Sequence, residues 1–138
     1  MKLRIVISLL LSGLVLIISC QSEDDLEFTR YYSNGMVVYQ SKCQNCHGAK
    51  GEGLQSLIPP LTDSVYLKTN KATLACGIKY GLKGKINIAQ KLFEGQMPAT
   101  DITAVEIAEV LTYVTNSFGN KMSVFTAQQV SNDLAKCK

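Results

Sequence analysis

The 138-residue sequence has no tryptophan, one histidine, three prolines and little excess charge of either sign. The lone His47 excludes any site that needs two imidazoles. The formal charge of +3 includes Lys2 and Arg4 near the N-terminus; without them, 12 basic residues face 11 acidic ones. A near-neutral body lacks the basic footprint of nucleic-acid binders, so no nucleic-acid partner is expected. There is no internal repeat. The extended apolar run, Ile5 to Ile18, is 14 residues long and contains Ser8, Ser12 and Gly13. A bilayer core takes roughly 20 helical residues, so this run is better suited to a signal-peptide core than to a permanent span. The length itself suits one domain.

What is present begins with an address. Lys2 and Arg4 precede the apolar run, and Ile17-Ile18-Ser19-Cys20 closes it. This ending resembles a bacterial lipobox, with Cys20 as the acylated first residue of the mature protein. The alternatives are an ordinary secretory signal and a short uncleaved anchor. All three place the rest of the chain outside the cytoplasm, in the periplasm or at the cell surface. The expected organisation is a lipoprotein signal peptide over 1–19, an acylated Cys and polar acidic tether over 20–30, and a folded domain over 31–138. Gln21 to Glu27 is too polar to bury a core. Extended, the ten residues from Gln21 to Arg30 reach at most about 35 Å, which keeps the domain close to a membrane.

The folded part reads as all-α, with about four helices. Ser33 and Asn34 are N-cap candidates for a first helix running through Val37, Val38 and Tyr39 into Cys43. Gly48 to Pro60 holds too many glycines and prolines for regular structure. Asn70 can cap a helix through Leu74, Ala75 and Ile78, with Gly81 as its stop. Ile86 and Ile88 alternate with polar residues, which suits a short strand. Thr103-Ala104-Val105-Glu106 is a capping box, and Ile107, Val110, Leu111 and Val114 follow at helical spacing. Thr126 to Gln129 has the form of a second box, opening a last helix. Helices this few enclose a thin core, so something else should help fill the middle.

The chemistry is carried by Cys43-Gln44-Asn45-Cys46-His47, the C-x-x-C-H pattern of c-type haem attachment. Two thiols at i and i+3 on a helical turn share one face, where they can add to the two vinyl groups of a haem. The next residue, His47, is placed to reach the iron. A thioredoxin-like dithiol would need a βαβ context, which is missing. A zinc site would need two further ligands, and only Cys76, Cys137 and carboxylates remain. With no second histidine, Lys, Met or water is left for the sixth iron position. Met1 is in the signal, Met36 lies on the attachment helix, and Met122 lies beyond the long helix. Met97 stands in a loop, in Gly95-Gln96-Met97-Pro98-Ala99. It is the assigned second ligand, His/Met pairing being a cytochrome c solution.

Together these residues resemble a class I c-type cytochrome from Gly35 to Asn120. Gly35 and Tyr39 stand where that family has a Gly and an aromatic on its first helix. Pro59-Pro60-Leu61 resembles its loop after the attachment motif, and Gln96-Met97-Pro98-Ala99 its distal loop. Leu111 to Asn120 resembles its C-terminal helix, with Phe118 where a Trp is usual. The resemblance implies a cytochrome c-like fold wrapped around one covalently attached haem c. It also implies that a carbonyl of Pro59 or Pro60 accepts from His47, and that Leu61, Tyr66, Leu92, Val110 and Leu111 help form the cradle.

Cys76 and Cys137 are left as an even pair in an oxidising compartment. A disulfide is expected, the alternative being one buried thiol and one free thiol near the terminus. With both axial positions filled by the protein, the expected function is one-electron transfer without catalysis. The partners would be redox proteins, a donor and an acceptor. Lys42, Lys50, Lys79, Lys83 and Lys85 could steer acidic docking surfaces. One alternative is a permanently bound haem subunit of a larger oxidoreductase such as a nitrite reductase, oxidase or dehydrogenase. Another is a catalytic or gas-sensing haem with a labile Met97.

Overall fold

The computed structural model describes residues 3, 4, 7 and 23–137. Cys20, its expected lipidation and nearly all of the apolar run lie outside the described residues. Among the described residues there are six α-helices, more than the four expected, and one two-stranded hairpin. No helix among them is long and apolar enough to cross a membrane.

The first helix, α1, spans Glu23–Lys42 and begins ten residues before the expected caps. The segment read as an extended tether is therefore helical from Glu23. At 1.5 Å per residue, its eight residues to Arg30 cover only about 12 Å. Glu23, Asp24 and Asp25 lie in the first turn, where the helix dipole favours negative charge. Phe28 stacks on Tyr32 (centroids 5.6 Å apart), and Tyr32 Oη lies 3.0 Å from Ser117 Oγ. Docking of the later turns thus extends helix into a stretch whose composition alone suggests coil. Asn34 caps nothing; its Nδ2 donates to Glu109 Oε1 at 2.8 Å.

A short α2, Gln44–His47, follows α1 after Cys43. Next comes α3, Ser64–Thr69, which the sequence reading missed. Asp63 Oδ1 accepts from Val65 N and Tyr66 N to start it, while Oδ2 accepts from Ala89 N across the molecule. Asn70 does not cap forward as expected. Its Nδ2 donates to Tyr66 O and closes α3. A 3-10 turn, Lys71–Thr73, leads into α4, Leu74–Tyr80, which ends at Gly81.

Strands β1 (Ile86–Ile88) and β2 (Lys91–Phe93) pair antiparallel, with Ile86 opposite Phe93 and Ile88 opposite Lys91. Both turn residues, Ala89 and Gln90, have positive φ. Hairpin turns of that geometry prefer Asn-Gly, so neither residue announces this one.

Helix α5, Ala104–Val114, opens with the capping box complete. Thr103 Oγ1 accepts from Glu106 N at 3.2 Å, and Glu106 Oε2 accepts from Thr103 N at 2.8 Å. Ile107, Val110 and Leu111 are buried, each worth about 1.5–3 kcal/mol over exposure. The main packing in the molecule is α1 across α5. Gly35 makes it possible: a Cβ there would strike the Glu109 carbonyl oxygen and lie 2.9 Å from Tyr113 Cβ. Thr126 Oγ1 accepts from Gln129 N to start α6, Ala127–Leu134, which buries Val130. Cys76 on α4 and Cys137 beyond α6 form a disulfide, with Cα atoms 5.7 Å apart. Across a separation of 61 residues, such a link stabilises by about 4 kcal/mol in the chain-entropy account.

Candidate functional site

The attachment turn continues the helical path of α1. Cys43 N donates to Tyr39 O, and Cys46 N and His47 N both donate to Cys43 O. This places Cys43, Cys46 and His47 on one turn. Both thiols are free, Cys43 partly buried and Cys46 exposed. Burial, and secondarily the neighbouring Cys46, pushes the Cys43 thiol up to about 11. A thiol-exchange motif needs the opposite, a thiolate favoured near neutral pH. Among the described residues, no three His, Cys, Asp or Glu side chains gather as a zinc site requires.

His47 is only 9% exposed. Burial holds its ring below the ordinary histidine range, opposed by the bond to Pro59, so it is neutral at physiological pH. Nδ1 lies 3.2 Å from Pro59 O. A carbonyl can only accept, so Nδ1 carries the hydrogen and Nε2 keeps its lone pair for a metal. The carbonyl facing His47 is thus that of Pro59. The loop that presents it is tied at several points. Gly53 N donates to His47 O at 2.8 Å and Leu61 N to Gly51 O at 2.7 Å. Tyr39 Oη donates to Gly48 O at 2.6 Å, from a ring buried against Tyr113 and Phe118.

Met97 sits on a separate segment. Its backbone exchanges two hydrogen bonds with Leu82, both 3.0 Å, and Thr100 N donates to Ile78 O. Gly81 permits this close approach. Its φ is +79°, and a Cβ there would lie 2.5 Å from Met97 O.

His47 and Met97 both line one cavity of about 390 Å³, with walls that are largely apolar. That volume falls within the roughly 300–1,000 Å³ of cofactor pockets. Cys43, Cys46, Pro59, Pro60 and Leu61 line it too, as do Tyr66, Val110 and Leu111. Leu92 does not belong to the cradle. It is 50% exposed, and its neighbour Phe93 is buried and lines the cavity instead. Strand alternation decides this: Phe93 pairs with Ile86 and shares its face, whereas Leu92 points the other way. The sequence reading also missed Ile88 and the disulfide pair Cys76 and Cys137 as lining residues. The alternation of Ile86 and Ile88 was the available signal for the first. Met36 is exposed, and Met122 packs against the core outside the cavity lining. Two of the lysines expected to steer partners are already paired, Lys79 with Asp101 and Lys85 with Glu94.

An apolar group suits these walls. The residues present supply two free thiols and a neutral imidazole on one segment and a thioether on another. By fold and cavity this is a c-type cytochrome domain. Residues 31–114, which is 84 of 138, match the family described as cytochrome c oxidase, cbb3-type, subunit III, and the chain belongs to that family. The match runs from the middle of α1 through the attachment turn and both cavity walls to the end of α5. A search of the curated proteins finds no match.

Proposed function

We propose that the protein is a one-electron carrier holding a single haem c, fixed by thioether bonds to Cys43 and Cys46. His47 and Met97 would hold its iron from the two sides of the cavity. The observation that carries this reading is that both residues line one largely apolar cavity from separate segments. The bound haem supplies the Fe(III)/Fe(II) couple. The chain supplies the rest. His47 donates through Nε2 while Pro59 O fixes its ring and raises its basicity. The weak thioether of Met97 and the apolar walls would favour the lower-charged reduced state, giving a fairly high potential. With both residues bound to it, the iron would keep no position for oxygen or peroxide. Exposed Cys46 sets the attachment turn at the surface, where an electron can leave. Export and anchoring through Cys20, in the periplasm or at the cell surface, belong to this proposal.

A second reading is favoured by the family match: a permanently bound haem subunit of a larger oxidoreductase. The cavity would do the same work, with a permanent partner. Purification from membranes in high salt separates the two readings, because transient electron-transfer contacts dissociate and a subunit contact does not. The ligand assignment is tested optically. The ferric protein should show the weak long-wavelength Met-to-iron band, and the ferrous protein should ignore carbon monoxide. A carbon monoxide complex in the unaltered protein would refute two filled axial positions.

A further inference from the structure

Asn120, six residues beyond the end of α5, is 7% exposed and absent from the cavity lining. Its Nδ2 donates to Val114 O at 3.0 Å and to Leu61 O at 2.8 Å. Both amide hydrogens are thereby used. Its Oδ1 is buried with no hydrogen-bond partner among the described residues. An orphaned acceptor costs free energy, which an apolar filler of the same space would avoid. The two donors are therefore the useful part of this side chain, and they join the last turn of α5 to the loop between α2 and α3.

Leu61 lies two residues beyond Pro59, whose carbonyl faces His47 Nδ1 at 3.2 Å. Pro59 and Pro60 both have φ fixed near about −65°, so a displacement at Leu61 is transmitted toward Pro59. The bond to His47 is already at the long end of the range, where a small movement breaks it. We propose that Asn120 is a positioning residue for the axial histidine. By clamping Leu61 O to the end of α5, it holds the Pro59 carbonyl against His47 Nδ1 and sets how strongly Nε2 donates to iron. This inference rests on the haem reading above. A carbonyl accepting from Nδ1 strengthens the imidazole as a ligand and favours the ferric state. Releasing the clamp therefore raises the midpoint potential.

The test compares Asn120→Ala with Asn116→Ala in the haem-loaded full chain. Asn116, four residues earlier, is the control. Its Nδ2 donates to Thr112 O and its Oδ1 accepts from Met122 N, so it holds the tail and leaves the loop alone. Three quantities are read: covalent haem content, midpoint potential, and the exchange rate of the His47 Nδ1 proton by NMR in the reduced state. In Asn120→Ala the haem should stay attached, the potential rise, and the proton exchange on the order of tenfold faster, as expected for a lost neutral hydrogen bond. Asn116→Ala should lower the melting temperature and move neither the potential nor the exchange. An unchanged potential and exchange rate in haem-loaded Asn120→Ala overturns the clamp, as do equal shifts in the control. If Asn120→Ala does not mature, Asn120→Leu, which removes both donors while filling the space, is read against the same outcomes. A wild-type chain without covalent haem overturns the haem reading instead.

Discussion

The two sides of the cavity are built by different means. His47 stands on a helical turn that continues a 20-residue helix, and that helix is locked across α5 at Gly35. Its loop is tied by Tyr39, Gly51 and Pro59. Met97 stands in the loop between the three-residue strand β2 and α5, and two backbone bonds to Leu82 hold it. Fewer buried contacts behind an element mean a lower free energy for opening it locally. The comparison teaches that the histidine side is the permanent support and the methionine side the one that can yield.

The largest expected effect breaks the support itself. In Cys43→Ser/Cys46→Ser, covalent haem should be lost completely, as read by haem staining after denaturing electrophoresis. Next, Met97→Ala should keep the haem attached but lose the long-wavelength band, admit carbon monoxide and lower the midpoint potential. Loss of haem from this variant would show that the two sides are not independent. The third prediction concerns the disulfide, which anchors α4 behind the Met97 loop. Cys76→Ser/Cys137→Ser should cost up to about 4 kcal/mol in chemical denaturation. On warming, its Met-to-iron band should disappear before the haem environment as a whole melts.

A smaller effect is expected at the helix crossing. Gly35→Ala gains about 1 kcal/mol in helix propensity. Against this, its methyl group meets a backbone carbonyl that cannot step aside, and overpacking of that kind costs about 1–3 kcal/mol. The net change should be a destabilisation, with the Met97 band kept up to the global melt. The smallest effect belongs to Glu106. Bonds from the Thr103 backbone and hydroxyl hold its carboxyl below the ordinary 4.5. Its contribution is therefore present above that pH and is lost as pH falls through the lower folded value. Glu106→Gln should melt slightly earlier than wild type at neutral pH, and the two should converge in acid.

The histidine side was far more legible in the sequence than the methionine side. The C-x-x-C-H spacing fixes its chemistry on one turn, and the Thr103–Glu106 box marks the start of α5 with a local bond pair. Gly35 and Tyr39 were matched by resemblance, and the structure supplies their physics: a close helix crossing and a phenol bonded to Gly48. On the other side, the start of α3 depends on Asp63, which also reaches Ala89 in the hairpin, a long-range contact with no local signature. The hairpin turn uses Ala89 and Gln90, neither a turn-forming pair. One residue of register decided that Phe93, and not Leu92, faces the cavity. The helical start at Glu23 was hidden for a similar reason, since the docking that supports it comes from Tyr32 and Ser117.

The most direct measurement is the intact mass of the mature chain, made in a host that attaches c-type haem, combined with its pyridine haemochrome spectrum. The account predicts one added haem mass that survives denaturation and a spectrum with both vinyl groups saturated. A colourless chain of unmodified mass, or a haem that acid and organic solvent extract, would contradict it.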